Sequence, residues 1–173
     1  MGILHGWRFC PRCATPLAHA DGRVECASCG FVQYASSLPA TSALVVDEDG
    51  RVLLARRAHE PDAGLWDTPG GFLEEGEEPV DGLRRELLEE TGLTIAVGDF
   101  VGLFVDVYGD GTDAAAVLNL VWEATVESGE ESPEDDVSEL RWFPLDELPS
   151  DAELAFRWVG RALREWAAKR RRS

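Results

Sequence analysis

The run GFLEEGEEPVDGLRRELLEETGL, Gly71 to Leu93, constrains this chain more than any other stretch. It reads as loop, helix and stop. Gly70 and Gly71 permit unusual backbone angles and close backbone approach. Pro79 suits a first helical position, where its missing N–H costs nothing. Glu77 and Glu78 put negative charge at the helix N-terminus, which the macrodipole favours. Gly92 fits the position just past the last turn. Gly82 lies inside the helix, where glycine costs about 0.5–1 kcal/mol relative to alanine. Gly82→Ala is therefore expected to stabilise the fold.

The helix faces decide the chemistry. Val80, Leu83 and Leu87 recur at i, i+3 and i+7 and form an apolar stripe. Glu86, Glu89 and Glu90 fall at i, i+3 and i+4, so three carboxylates crowd one face beside that stripe. Like charges at this spacing repel, and Glu90 sits nearest the buried edge. Burying an unpaired carboxylate is expensive. Arg85 reaches Glu89 at i, i+4, but one Arg cannot neutralise three Glu. A hard divalent cation can, and carboxylate oxygens are what Mg²⁺ prefers.

A bare Glu-x-x-Glu-Glu is most often a solvated helix face. Here the wider pattern counts: Gly71, Glu77, Arg85-Glu86-Leu87, Glu89-Glu90 and Gly92-Leu93, over 23 residues. Every specified position matches the Nudix box, so the chain resembles the Nudix hydrolase family. That resemblance implies an α+β fold, an α/β/α sandwich with a mixed sheet. It also implies Mg²⁺- or Mn²⁺-dependent hydrolysis of the diphosphate linkage in a nucleoside diphosphate joined to a group X. By resemblance Glu86 and Glu90 are metal ligands, and Glu89 is a ligand or the general base. Arg85 orients the glutamates, and Glu77 braces the loop or contacts a metal through water. The carbonyl just before the first Gly of the box often binds metal in the family, and Gly70 occupies that place.

All four cysteines fall early: Cys10, Cys13, Cys26 and Cys29. Two C-x₂-C pairs with none left over are the pattern of tetrahedral zinc held by four thiolates. Two disulfides are disfavoured without a secretory signal, and a redox site needs only one C-x₂-C. Residues 1–36 therefore read as a zinc ribbon, too short to bury a sufficient core without metal. Residues 37–173 read as the Nudix domain. Gly30, directly after Cys29, gives the knuckle a residue tolerant of positive φ. His5 and His19 read as ordinary polar residues, since the cysteines complete the metal sphere.

The net charge of −17, from 33 acids and 16 bases, argues against a polyanion-binding surface. Nucleic acid is an unlikely partner on that ground, and the ribbon reads as structural or as part of a homodimer interface. The single lysine, Lys169, and the acidic surface fit a salt-rich cytoplasm, and a GC-rich genome, which favours Arg over Lys, is the alternative. No run approaches 18 consecutive apolar residues, and the start lacks a signal-peptide layout. A cytoplasmic protein without membrane contact is the expectation.

The remaining chain is read in order. Thr41–Val46 and Arg51–Arg57 are expected strands, joined as a hairpin at Asp49-Gly50. Arg56 and Arg57 either reach substrate phosphates or balance nearby acids. Glu60 to Pro69 reads as a loop, with Trp66 packed into the core. Thr94–Val97 and Phe100–Tyr108 are expected strands, followed by a polar turn over Gly109 to Asp113. Ala116–Val126 alternates as a half-buried strand. The acid-rich loop that follows offers Glu134, Asp135, Asp136 and Glu139 as unranked candidates for a further metal ligand or base. Leu140–Phe143 is a last strand. Asp151 to Trp166 is expected to be helical, with Leu154, Trp158, Ala162 and Trp166 facing the core.

Ribbon plus box is also similar to the NADH pyrophosphatases, but their Ser-Gln-Pro-Trp-Pro-Phe run is absent; that region reads GDFVGLFVDVYGD. The combination CPRC, CASCG and GLWDTPGGF looks more like a ribbon-bearing group that includes FAD and ADP-ribose pyrophosphatases. The expected activity is hydrolysis of an ADP-ribose- or FAD-like substrate to a nucleoside monophosphate and phosphorylated X. The alternatives are a non-catalytic nucleotide sensor and an RNA 5′-end pyrophosphohydrolase.

Overall fold

The computed structural model describes residues 3–109 and 114–171. Most of the turn expected at Gly109 to Asp113 lies outside the described residues. The described chain forms two compact units, Met1–Leu38 with Val107–Val117, and Pro39–Asp106 with Leu118–Ser173.

The first unit carries a small antiparallel sheet of β1 (Ala18–Ala20), β2 (Arg23–Glu25) and β3 (Val32–Tyr34). Its two cysteine knuckles share one geometry. Cys10 N–H donates to Thr15 O and Ala14 N–H to Cys10 O; Cys26 N–H donates to Phe31 O and Gly30 N–H to Cys26 O. Ala14 and Gly30 follow the second cysteine of each pair and both take positive φ, 58° and 72°. Gly30 does so freely, as expected from its place. Ala14 adopts the same conformation against its Cβ.

The second unit is built on two sheets. One has the order β7 (Gly70–Phe72), β4 (Leu38–Val45), β9 (Ala115–Gly129), β8 (Leu93–Tyr108). The other has the order β10 (Val137–Phe143), β5 (Val52–Arg57), β6 (Trp66–Asp67). Helix α1 (Pro79–Thr91) and helix α2 (Arg157–Arg170) pack on opposite sides of these strands. The alternation of β4 explains why. Ala43 and Val45 join Leu83 and Leu87 of α1, while Leu44 and Val46 join Trp158, Ala162 and Trp166 of α2. This is the α/β/α sandwich expected of the chain.

Several boundaries differ from the sequence reading. The turn at Asp49-Gly50 forms, with Gly50 N–H donating to Asp47 O, but β4 and β5 meet only in a bridge at Val46 and Val52. β4 lies between β7 and β9, and β5 between β10 and β6, each with consecutive buried residues, so each pairs inside its own sheet and the hairpin splays. Thr94–Val97 and Phe100–Tyr108 are one strand, β8. The loop before the box contains the short strand β6, and Trp66 is buried in the core as expected. Helix α2 begins at Arg157 rather than Asp151. Trp66 N–H donates to Glu153 O and Ala155 N–H to Trp66 O, so that backbone is spent on β6. The stripe Leu154, Trp158, Ala162 and Trp166 is nonetheless buried.

Helix α1 starts at Pro79 and ends at Gly92, whose φ is 70°. The packing around Gly82 argues against the stabilisation expected of Gly82→Ala. A Cβ there would lie 2.5 Å from Leu73 Cδ2 and 2.8 Å from Glu77 Oε2. Glu77 cannot simply swing aside, because it is held by Arg85 and by the Glu74 N–H. Gly82 admits the loop that leads into the helix, and its propensity cost is the smaller effect. Among the described residues no helix is long and apolar enough to cross a membrane.

Candidate functional site

Arg85 organises the acidic face of α1. Its Nε and Nη2 clasp Glu77 at 2.8 and 2.9 Å. Its Nη1 donates to Glu86 Oε1 at 2.7 Å and to Glu89 Oε2 at 3.1 Å, and Nη2 reaches Phe72 O at 3.3 Å. One guanidinium thus ties the incoming loop, strand β7 and two helix carboxylates together. The Arg85 clasp, helped by the Glu74 N–H, holds the Glu77 carboxyl down at about 2.

The three glutamates of the box differ in depth. Glu89 is half exposed, whereas Glu86 is largely buried. Burial raises the Glu86 pKa, against the pull of Arg85. Glu90 is deepest in charge terms. Burial pushes it up to about 8, and the charges of Asp67, Glu86 and Asp136 add to the load. Against these, the Gly70 N–H donates to Glu90 Oε2 at 2.8 Å and favours the charged form. Gly70 and Gly71 explain the close approach. A Cβ on Gly70, at φ 143°, would sit 2.2 Å from Thr41 O, and one on Gly71 would sit 2.5 Å from Glu86 Oε2.

Gly70, Glu86, Glu89, Glu90 and Arg85 are therefore brought together around the start of β7. Of the four unranked acids, Asp136 is placed where its charge acts on Glu90. Glu139 is turned to Arg56 and Arg141. Glu134 accepts from the Ser132 hydroxyl, and its backbone N–H caps the Glu90 carbonyl. Asp67, which the sequence reading passed over, is also here. Burial lifts it to about 7, opposed by Arg57 and the Thr68 N–H. Its one sequence signal was an acid set between the buried Trp66 and Thr68.

A zinc ion with Zn–S bonds of about 2.3 Å places tetrahedral sulfurs about 3.8 Å apart. Cys10 and Cys29 Sγ lie 3.6 Å apart, Cys13 and Cys26 Sγ 3.5 Å apart, and all four within 4.8 Å. That donor set fits structural zinc. Among the described residues it is the one group of three or more such side chains that converges so tightly. The glutamates of α1 stand more open. Mg²⁺ keeps several waters and is held by one or two carboxylates plus substrate phosphates, so the partly buried, under-neutralised Glu86 and Glu90 fit it.

The chain is thus a mixed α/β/α sandwich whose helix α1 carries three glutamates, two of them tied to one arginine. The NUDIX domain matches residues 37–166, and the chain belongs to that family. It is 34% identical over 145 residues to the NAD-capped RNA hydrolase NudC of Pseudomonas aeruginosa, covering 82% of this chain and 49% of that protein. The chain thus spans about half the length of that relative. It is 34% identical over 112 residues to the ADP-ribose pyrophosphatase of Methanocaldococcus jannaschii, covering 65% of this chain and 63% of that protein. A NUDIX hydrolase from Nitrosomonas europaea superposes with a TM-score of 0.76 at 25% identity, covering 96% of this chain and 93% of that one.

Proposed function

We propose that the chain is a divalent-metal-dependent hydrolase that cleaves the diphosphate linkage of a nucleoside diphosphate derivative, ADP-ribose or FAD-like. The carrying observation is the burial of Glu86 and Glu90 with too little positive charge beside them. Such a face costs stability in the metal-free protein, and a bound cation relieves it. Bound Mg²⁺ or Mn²⁺ supplies charge for the developing oxyanions and a lowered pKa for the attacking water. The protein's own part is positional. Arg85 and the Gly70 N–H hold Glu86 and Glu90, Glu89 stands outermost as ligand or base, and Asp136 is the further carboxylate we rank first. Residues 1–36 act as a zinc-held module ahead of the catalytic domain.

A second reading takes support from relatives named as NAD-capped RNA hydrolases: a dinucleotide at an RNA 5′ end. The charge of −17 and the missing Ser-Gln-Pro-Trp-Pro-Phe run weigh against it. Product analysis on ADP-ribose, FAD, NADH and NAD-capped RNA with and without Mg²⁺ decides. The proposal expects a nucleoside monophosphate from ADP-ribose or FAD, dependent on the metal. Turnover confined to NAD-capped RNA favours the second reading, and no turnover with any of them defeats both.

A further inference from the structure

A sheet with an apolar face has to cover it, and part of this sheet stands uncovered. Strand β8 ends the order β7-β4-β9-β8. Helix α1 covers the start of β8, where Leu93 and Ile95 pack with Leu83 and Leu87. Further along, Phe104 of β8 and Val121 of β9 turn to the α2 side. The pleat therefore turns Leu103 and Val105 of β8, and Leu118, Leu120 and Trp122 of β9, to the α1 side. There Leu103 is 56% exposed and Val105 59%. Leu118, Leu120 and Trp122 are half-buried. Phe100, 49% exposed, meets the Trp122 ring edge-on at 5.2 Å between ring centres.

Among the described residues this patch of sheet carries no charge. The acids of the same strands point the other way: Asp106 accepts from the Trp158 N–H at 3.1 Å, and Glu123 from Trp166 Nε1 at 2.6 Å, both on α2. The apolar surface continues onto α1 through Leu88, itself exposed. Leu88 lies about 200° round the helix from Glu86. Glu86 and Glu90 meet Gly71 and Gly70 of β7, so the Leu88 flank faces the opposite end of the sheet, towards β9 and β8. Contiguous apolar surface of this kind marks a contact. The charge pattern selects the occupant. In a chain of net charge −17, a basic partner finds its attraction elsewhere and nothing to pair with here. The complement of this face is another flat, uncharged, apolar sheet face, and a second copy presents one.

We propose that the β8–β9 face around Leu103, Val105 and Trp122 is a self-association surface that packs against the same face of a second copy of this chain. Two such sheets stack about 10 Å apart with interdigitated side chains, and a twofold axis closes the pair. A patch of this kind offers a few hundred Å² per copy, below the roughly 800 Å² per partner of a standard interface. The flank of α1 that bears Leu88 adds to it. Both copies are strongly acidic, so their long-range repulsion opposes the contact and salt relieves it. The glutamate flank of α1 lies away from this face, and the proposal does not depend on the hydrolase reading.

Sedimentation equilibrium of the full chain tests this, over about 1 to 200 µM protein and at about 0.05 and 0.5 M NaCl. Wild type is expected to approach about 38 kDa, twice the 19.0 kDa of one chain. The association should tighten at the higher salt. Val105→Asp puts a charge into the face of each copy and is expected to raise the dissociation constant at least about a hundredfold. Its circular dichroism and Mg²⁺ affinity should stay those of wild type, since Val105 is exposed and remote from the glutamates. Wild type that remains at 19.0 kDa at the highest concentration overturns the proposal. So does a Val105→Asp protein that associates like wild type, which would place the contact on the ribbon or another surface. Association that weakens with salt is equally fatal, because it points to charged contacts. If Val105→Asp does not fold, Leu103→Asn carries the same test, with wild-type association in it again counting against the proposal.

Discussion

Glu90→Gln should stabilise the metal-free protein, and do so in a pH-dependent way. In the folded chain burial lifts Glu90 from 4.5 to about 8, and its acidic neighbours add to that. A folded pKa above the unfolded one means that folding takes up a proton between the two values. For this group stability is highest below about pH 4.5 and falls as pH rises towards 8. At about 1.4 kcal/mol per factor of ten, moving a carboxyl from 4.5 to about 8 corresponds to at most about 5 kcal/mol. Local relaxation and water entry should reduce the observable change to about 1–3 kcal/mol. Asp67, lifted to about 7, slopes the same way and remains in the variant. The amide oxygen of Gln can still accept from the Gly70 N–H. Urea unfolding from pH 5 to 8.5 measures this, in magnesium-free buffer without chelator so that zinc stays bound. Wild type should lose stability as pH rises and regain it on adding Mg²⁺. Glu90→Gln should give a flatter curve that lies above wild type at pH 8 without Mg²⁺. Parallel curves, or a less stable variant at pH 8, would refute the reasoning.

Other outcomes follow from named contacts. Gly82→Ala should lower stability by about 0.5–2 kcal/mol: overpacking against Leu73 and the clamped Glu77 costs about 1–3, and helix propensity returns up to about 1; a higher melting temperature would show that the loop yields freely. Arg85→Lys cannot reproduce the fork to Glu77 together with the contacts to Glu86 and Glu89, so stability should fall by about 1–3 kcal/mol in urea titrations; an unchanged midpoint contradicts the clasp. Elemental analysis should give about one zinc per chain, and chelation should unfold residues 1–36; ordered ribbon signals in zinc-free protein would overturn that assignment.

How much of this was legible in the sequence depends on the range of each interaction. The ends of α1 were readable because Pro79 and Gly92 act locally. The four cysteines were readable because their spacing is itself the ligand geometry, and Gly30 carries the positive φ expected of it. The crowding of Glu86, Glu89 and Glu90 was readable from helical spacing, but their depths were not. Depth comes from β7, which brings the Gly70 N–H to Glu90 across twenty residues of chain. Helix propensity at Gly82 is a local signal, while the contacts of Leu73 and Glu77 that weigh against it come from outside the helix. The splaying of β4 from β5, the late start of α2 and the burial of Asp67 all depend on pairing between distant strands. No short-range signal in residues 41–57 or 151–156 reports those partners.

The most direct test of the central claim is single-turnover hydrolysis of ADP-ribose at saturating Mg²⁺ by Glu86→Gln, Glu90→Gln and the double variant, with metal titration alongside. Loss of the charge that holds the cation should cost on the order of a thousandfold in rate, or about 4 kcal/mol. Metal affinity should fall while the folded state persists. Near-wild-type turnover by the double variant would contradict the assignment of this helix as the metal site, and with it the hydrolytic role given to Glu86 and Glu90.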